Sequence, residues 1–310
     1  MRSTVRTLTS LVIAVTWLAA AADASSATYL GKPGLIAYLR GYDIWVAQPD
    51  GRNARQLTNT AANKWTNEDA SFSADGKQIA FTSNRNGNSD IYVMNADGTG
   101  LRRVTTHAAK EFKPTWSPDG KQLAFISMRS GAGEVYRVKS TVPYGNAVKL
   151  AAAYKDSSGD SHWYVDVEWH PTLQQLLVSD YSSSNGYPLA RLISSADGHA
   201  LSGVVYITEE PSWAPRGRAV AYQDSDGGTQ CNNWFIVTSK PDGTQRRYLT
   251  PYEDCGAYST NPVWSPDGTK IAYQCAVNCS PVGAYVMNAD GTNKRKLPIP
   301  GQVMSWQAVP

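Results

Sequence analysis

The sequence is thin in the residues from which most catalytic and metal centres are assembled. Only four histidines, His107, His162, His170 and His199, occur in 310 residues, and cysteine is absent until Cys231. No Gly-x-Ser-x-Gly elbow marks a hydrolase nucleophile, and no glycine-rich loop of the phosphate-cradling kind is present. Long hydrophobic runs are missing as well. The longest, Leu11 to Ala22, falls short of the roughly 20 residues that span a bilayer, which excludes membrane insertion as the expected fate of the chain. Helical periodicity is absent downstream of it. Charge of one sign is also lacking: 29 Lys and Arg stand against 26 Asp and Glu, and the longest basic cluster is Lys294-Arg295-Lys296. A nucleic-acid binder concentrates a basic face, so nucleic acid is excluded as a partner.

The amino terminus has the layout of a secretory signal, assigned to residues 1–24. Arg2 and Arg6 precede the apolar run, and Ala22-Asp23-Ala24 supplies the small-x-small pattern of a cleavage site. Cleavage there leaves 27 basic and 25 acidic residues, a net charge of +2, in a protein expected in the periplasm or outside the cell. In such an oxidising compartment the four cysteines, Cys231, Cys255, Cys275 and Cys279, read as disulfides. Of the three possible pairings, Cys231–Cys255 with Cys275–Cys279 is favoured. The Cys-x3-Cys spacing also tolerates zinc, but exported thiols rarely stay reduced.

What the sequence does contain is a repeat. Trp116-Ser117-Pro118-Asp119-Gly120-Lys121 returns as Trp264-Ser265-Pro266-Asp267-Gly268-Thr269 and as Phe72-Ser73-Ala74-Asp75-Gly76-Lys77, with weaker copies at Trp169 and Trp213. A second signature trails it: Tyr92-Val93-Met94-Asn95-Ala96-Asp97-Gly98-Thr99 matches Tyr285 to Thr292. The anchor aromatics Phe72, Trp116, Trp169, Trp213, Trp264 and Trp306 lie 44, 53, 44, 51 and 42 residues apart, the length of a four-stranded propeller blade. Short β-branched and aromatic runs separated by Asp-Gly turns fit four strands per repeat. Pro presets the first turn angle, Asp bonds back to the backbone and Gly accepts positive φ. The first repeat lacks an opening strand, since Leu35-Ile36-Ala37-Tyr38 begins at the second, and Met304-Ser305-Trp306-Gln307 is an opening strand with nothing after it. The two defects complement each other. The expected fold is all-β: residues 29–310 form a six-bladed β-propeller of four-stranded antiparallel blades, closed by the C-terminal strand completing blade one.

The two-part motif resembles the TolB-type propeller repeat, a relative of the WD propellers, over nearly all of residues 29–310. The resemblance implies a docking platform, since TolB is a periplasmic partner of the peptidoglycan-associated lipoprotein. It also carries an α/β domain ahead of its propeller. Blade one here follows almost directly on the signal, leaving no room for that domain, so the platform alone is carried over.

Three residues before the anchors stand Asp69, Lys113, Asp166, Glu210 and Asn261, with Val303 in the closing strand. Lining a channel mouth, this largely acidic set would hold a cation or a basic peptide. Alternatively, it simply wets a water-filled channel. Calcium suits oxygen ligands, but nothing fixes their convergence, and no cofactor is expected. A second candidate surface is aromatic: Trp65, the Tyr154–Tyr164 insertion with Tyr154, His162, Trp163 and Tyr164, and Tyr252 with Tyr258. Exposed aromatics anchor partners, stack on sugars, or cover neighbouring blades. Arg40/Asp43, Arg85/Asp90 and Arg129/Glu134 are expected to clamp hairpins, and His170 to take the place of the motif serine. These readings favour a monomeric, noncatalytic binding or scaffolding propeller. Its partner would be a protein or peptide, including a cell-envelope component, or a polysaccharide. The alternative is a carbohydrate-active lyase or hydrolase.

Overall fold

The repeat dictates the local structure through hydrogen bonds that close within five residues. In the computed structural model, Ser117 Oγ donates to Asp119 Oδ1 at 2.6 Å and accepts from the Gln122 amide at 2.9 Å. Ser73 with Asp75 and Ser265 with Asp267 repeat the arrangement. Gly76, Gly120 and Gly268 follow at φ of 67–71°, a region open to glycine. In the second turn Asp97 Oδ1 accepts from both the amide and the hydroxyl of Thr99, as Asp242 and Asp290 do from Thr244 and Thr292. His170 takes the serine's place as expected, its Nδ1 accepting from the Thr172 and Leu173 amides.

The structure describes residues 30–60, 65–184, 189–203, 205–207, 209–225, 234–250, 258–277 and 280–310. Strands follow one another as β1 (Lys32–Arg40), β2 (Asp43–Ala47) and β3 (Arg55–Gln56) in blade one. Blade two holds β4 (Asn67–Phe72), β5 (Gln78–Ser83), β6 (Asp90–Asn95) and β7 (Arg102–Arg103), and blade three β8 (Glu111–Trp116), β9 (Gln122–Ser127), β10 (Glu134–Lys139) and β11 (Val148–Ala151). A short β12 (Tyr154–Lys155) pairs with the start of β13 (Ser161–Trp169), which continues into β14 (Gln175–Ser182) and β15 (Leu189–Ser194) of blade four. The bridges Ala190–Val205 and Ile193–Ala200 stand along the outer edge of β15. Blade five is β16 (Glu209–Trp213), β17 (Val220–Ser225), β18 (Trp234–Ser239) and β19 (Arg247–Tyr248). Blade six is β20 (Tyr258–Trp264), β21 (Lys270–Val277), β22 (Ser280–Asn288) and β23 (Arg295–Lys296).

The last strand, β24 (Gln302–Val309), runs antiparallel to β1 with Ile36 opposite Trp306 and Ala37 opposite Ser305. The tail therefore completes blade one, and six four-stranded antiparallel blades share one hub.

Packing follows the same logic. Each buried apolar cluster bridges two neighbouring blades. Trp116, fully buried, packs with Ala80, Ile91 and Val93 of blade two as well as Leu123 and Phe125 of its own blade. Its indole donates to the Ser71 carbonyl of blade two at 3.0 Å. Trp169 packs in the same way against Ala124, Ile126 and Val135 of blade three, without such a bond from its indole. Fully buried Ala80, Ala124 and Ala272 in the second strands permit this close approach of sheets.

The charged pairs differ from the expected hairpin clamps. Asp90 is bonded by Arg103 of β7 at 2.6 Å, not by Arg85. Arg129 reaches back to Glu111 at the start of β8, and Glu134 pairs with Lys149 of β11. Arg40 lies over the Trp45 ring, while Asp43 accepts from Gln56 and Thr58. The carboxylates of Asp90 and Glu111 are fully buried; Asp90 is reached from the adjoining strand β7, and Glu111 by Arg129, which folds back from the β9–β10 turn, since a buried carboxylate needs its cation close by.

Candidate functional site: the central channel

The inner strands β4, β8, β16 and β20 each carry a register shift in their middle, between Glu68 and Ser71, Phe112 and Thr115, Glu209 and Ser212, and Thr260 and Val263. At each bulge one non-glycine residue adopts left-handed φ: Asp69 at 54°, Lys113 at 56°, Glu210 at 51° and Asn261 at 52°. A bulge re-aims a side chain that strict alternation would place elsewhere. Blade four shifts instead between Tyr164 and Asp166, and the closing blade between Ala37 and Tyr38, beside Val303. All six positions line one cavity of about 470 Å³ along the hub. The expected channel set is thus brought together.

Lys113 is its centre. Its ammonium lies 2.8 and 2.9 Å from the two Glu210 carboxylate oxygens, 3.6 Å from Asp166 and 3.9 Å from Asp69. Burial opposes its charge, but Asp166, Glu210 and Asp69 outweigh that and hold its pKa well above the ordinary lysine value. Asp69 is further fixed by the Thr82 hydroxyl at 2.8 Å and the Lys113 amide at 3.2 Å. Asp166 accepts from the Val167 amide. Burial pushes its pKa up, Lys113 pulls it down and Glu210 raises it again, to about 6.

Two further acids line the cavity, Glu68 and Glu168. Glu168 lies two residues beyond Asp166 on β13 and so shares its face, a period-two signal legible in the sequence. Burial first, then the Asp166 charge, lifts its pKa to about 8, against the Thr115 hydroxyl that donates to it at 3.2 Å. At neutral pH it holds a proton. Burial and Asp69 raise Glu68 as well. Toward the other end the cavity is walled by Trp169, Trp213, Trp264 and Trp306, with Pro215 and Pro266. Among the described residues no group of three or more His, Cys, Asp or Glu is arranged to hold a metal ion.

The aromatic candidates are more dispersed. Trp65 is half-buried beside the Arg85 guanidinium, 5.8 Å from its ring centre. The Tyr154–Tyr164 insertion forms the β12–β13 hairpin. Tyr154 stacks on His162 at 4.6 Å, and both bond to Asp180, at 2.9 and 2.8 Å. His162 also faces Asp156 at 3.3 Å. Trp163 is half-buried against Tyr181, with ring centres 6.3 Å apart, and Tyr164 is buried. Tyr258 opens β20, whereas Tyr252 lies outside the described residues. Of the cysteines, Cys275 is buried in β21, and Cys231, Cys255 and Cys279 lie outside the described residues.

Comparison with known proteins agrees with this architecture. Among curated relatives, the Tol-Pal system protein TolB of Geobacter sulfurreducens is 35% identical over 77 residues, 25% of this chain and 17% of that protein. The TolB of Anaeromyxobacter dehalogenans (strain 2CP-C) is 44% identical over 45 residues, 14% of this chain and 10% of that protein. The chain thus spans less than a fifth of the length of these relatives. Among solved structures, TolB from Acinetobacter baumannii superposes with a TM-score of 0.70 at 18% identity, over 89% of this chain and 67% of that one. An oligogalacturonate lyase in complex with manganese gives 0.54 at 16% identity, over 86% and 74%. Identities this low show the shared fold alone. Residues 43–254 match the TolB beta propeller domain, and the chain belongs to that family.

Proposed function

We propose that this chain is an exported binding propeller that docks a protein or peptide partner of the cell envelope at the mouth of its central channel. One observation carries the reading: among the described residues, five carboxyl groups, Glu68, Asp69, Asp166, Glu168 and Glu210, face a 470 Å³ cavity together with one lysine. With Glu168 protonated at neutral pH, the remaining carboxylates still outnumber Lys113. Low-dielectric walls focus such a field and select cationic ligands, so the partner offers a basic segment. The reading needs no metal, because the Lys113 ammonium already supplies positive charge between Asp69, Asp166 and Glu210. Export through the signal at residues 1–24 and pairing of Cys231 with Cys255 and of Cys275 with Cys279 belong to the same reading. So does the contribution of Trp163, half-buried on the β12–β13 hairpin, as an accessory contact.

The experiment is fluorescence anisotropy with labelled decapeptides of net charge +3, 0 and −3 (at about 20 and 500 mM salt). The basic peptide is expected to bind, weaken with salt, and lose affinity about tenfold or more in the Asp69→Asn, Glu210→Gln double variant. Equal affinity for the acidic peptide, or binding indifferent to the double variant, would refute it. Chelator-sensitive turnover of polyuronate or other glycans would replace it with an enzymatic reading.

A further inference from the structure

Among the described residues, the ion pairs of Lys113 stand apart. Arg103–Asp90, Arg129–Glu111 and Lys149–Glu134 each tie strands of one blade together. Lys113 instead leaves blade three, passes Asp166 of blade four, and grips Glu210 of blade five with both carboxylate oxygens, while facing Asp69 of blade two. Its side chain keeps 24% exposure and lies in the cavity, not in an interblade core. A cationic group already sits where the acids of the mouth would hold one.

A second feature of the same cavity points to a ligand. The anchor indoles Trp116 and Trp306 donate to the Ser71 and Gly34 carbonyls at 3.0 and 3.2 Å. Trp169 and Trp213, which line the cavity and are 1% and 8% exposed, have indole N–H groups with no acceptor in the structure. Trp264, half-buried in the same cavity, shares this property, and a buried donor without a partner calls for an explanation. The anchors stand three residues further along their strands than the mouth positions, about 10 Å at strand rise. An extended peptide would therefore place a basic side chain among the carboxylates and a backbone carbonyl, about three residues away, near the indoles.

We infer that Lys113 is an internal stand-in for the ligand: a displaceable plug whose ammonium holds the acidic mouth until the lysine or arginine of a bound peptide segment replaces it. This rests on the docking reading and adds its regulation. Because like charges compete for one set of carboxylates, the apparent affinity of the site is reduced by the fraction of time the plug is out. Removing the plug's charge raises affinity, whereas a merely structural lysine would lower it.

The test is calorimetry with a decapeptide carrying one central lysine, and its norleucine counterpart, against the wild type and Lys113→Met. The lysine peptide is expected to bind the variant about tenfold or more tightly than the wild type, equivalent to about 1.4 kcal/mol, and the norleucine peptide to bind neither. Affinity of Lys113→Met equal to or below that of the wild type overturns the plug while leaving docking intact. Failure of both proteins to bind any basic peptide overturns docking and plug together. Should Lys113→Met not fold, the wild type labelled with ¹³C,¹⁵N-lysine decides, its Lys113 signal assigned through Lys113→Arg. At millimolar peptide that signal moves to the position of a solvated lysine if the plug leaves, and an unmoved signal overturns the inference.

Discussion

Glu168 provides a sharp test of the electrostatics at the hub. Its carboxyl, pushed from the ordinary 4.5 to about 8 by burial and then by Asp166, keeps a proton in the folded protein that the unfolded chain releases. Linkage fixes the sign. Stability contributed by the raised pKa is fully present below pH 4.5 and is lost as pH rises toward 8, beyond which no further loss occurs. Each pH unit of that window is worth about 1.4 kcal/mol, so the ceiling is about 5 kcal/mol. Partial exposure of Glu168 and relaxation around Lys113 trim this to about 2 kcal/mol. Glu168→Gln keeps an acceptor for the Thr115 hydroxyl and cannot ionise. It is expected to match the wild type near pH 5 and to exceed it by about 2 kcal/mol at pH 9. For a domain of this size that is a Tm difference of roughly 3–4 °C. Thermal unfolding at pH 5, 7 and 9 in one buffer series measures it. Parallel curves for the two proteins across that range would show Glu168 ionising like a surface acid and would refute the account of the channel as a desolvated acidic site.

Two further outcomes concern the frame. Trp116→Ala removes a fully buried side chain joining blades two and three and its bond to Ser71; a loss of about 3–5 kcal/mol is expected in urea unfolding, and a loss under 1 kcal/mol would contradict interblade wedging. Arg103→Ala strands the Asp90 carboxylate, fully buried and raised in pKa by that burial against the pull of Arg103. It should cost about 3 kcal/mol at pH 7 and less at pH 5, where Asp90 takes up a proton more readily; equal losses at both pH values would argue against a buried charge.

How much was legible in the sequence follows from the range of the interactions involved. Ser117, Asp119 and Gly120 announce their turn because their hydrogen bonds close within five residues, and repetition of such turns at blade length exposes the ring. Closure was legible for the same reason: a first blade without an opening strand and a tail strand without a blade can only complete each other, as Ile36 and Trp306 do. The channel positions were legible as a column of equivalents in the repeat. Their chemistry was not, since Lys113 meets Glu210 across 97 residues and no local pattern marks that distance. Glu168 is legible from period-two alternation with Asp166, but the repeat marks only the position three before the anchor. The arginine pairs differ from the expectation because proximity in sequence is not proximity in the blade: Asp90 and Glu134 are reached from the outer strands by Arg103 and Lys149.

The same column separates frame from function. Where the propeller needs left-handed backbone only to turn, it uses glycine, as at Gly76, Gly120, Gly217 and Gly268, and also Asn53, Gln245 and Asn293. At the channel bulges the same region of φ holds Asp69, Lys113, Glu210 and Asn261, although a side chain there costs about 1–2 kcal/mol that glycine would avoid, less for Asp and Asn. Gln245 shows that the fold accepts this conformation in a long side chain with no place in the channel. What sets Lys113 and Glu210 apart is that the bulge turns their charged groups into the cavity. The bulges set polar and charged groups around the hub, and the differences among blades at those positions, cation against acid against amide, make the otherwise sixfold ring asymmetric.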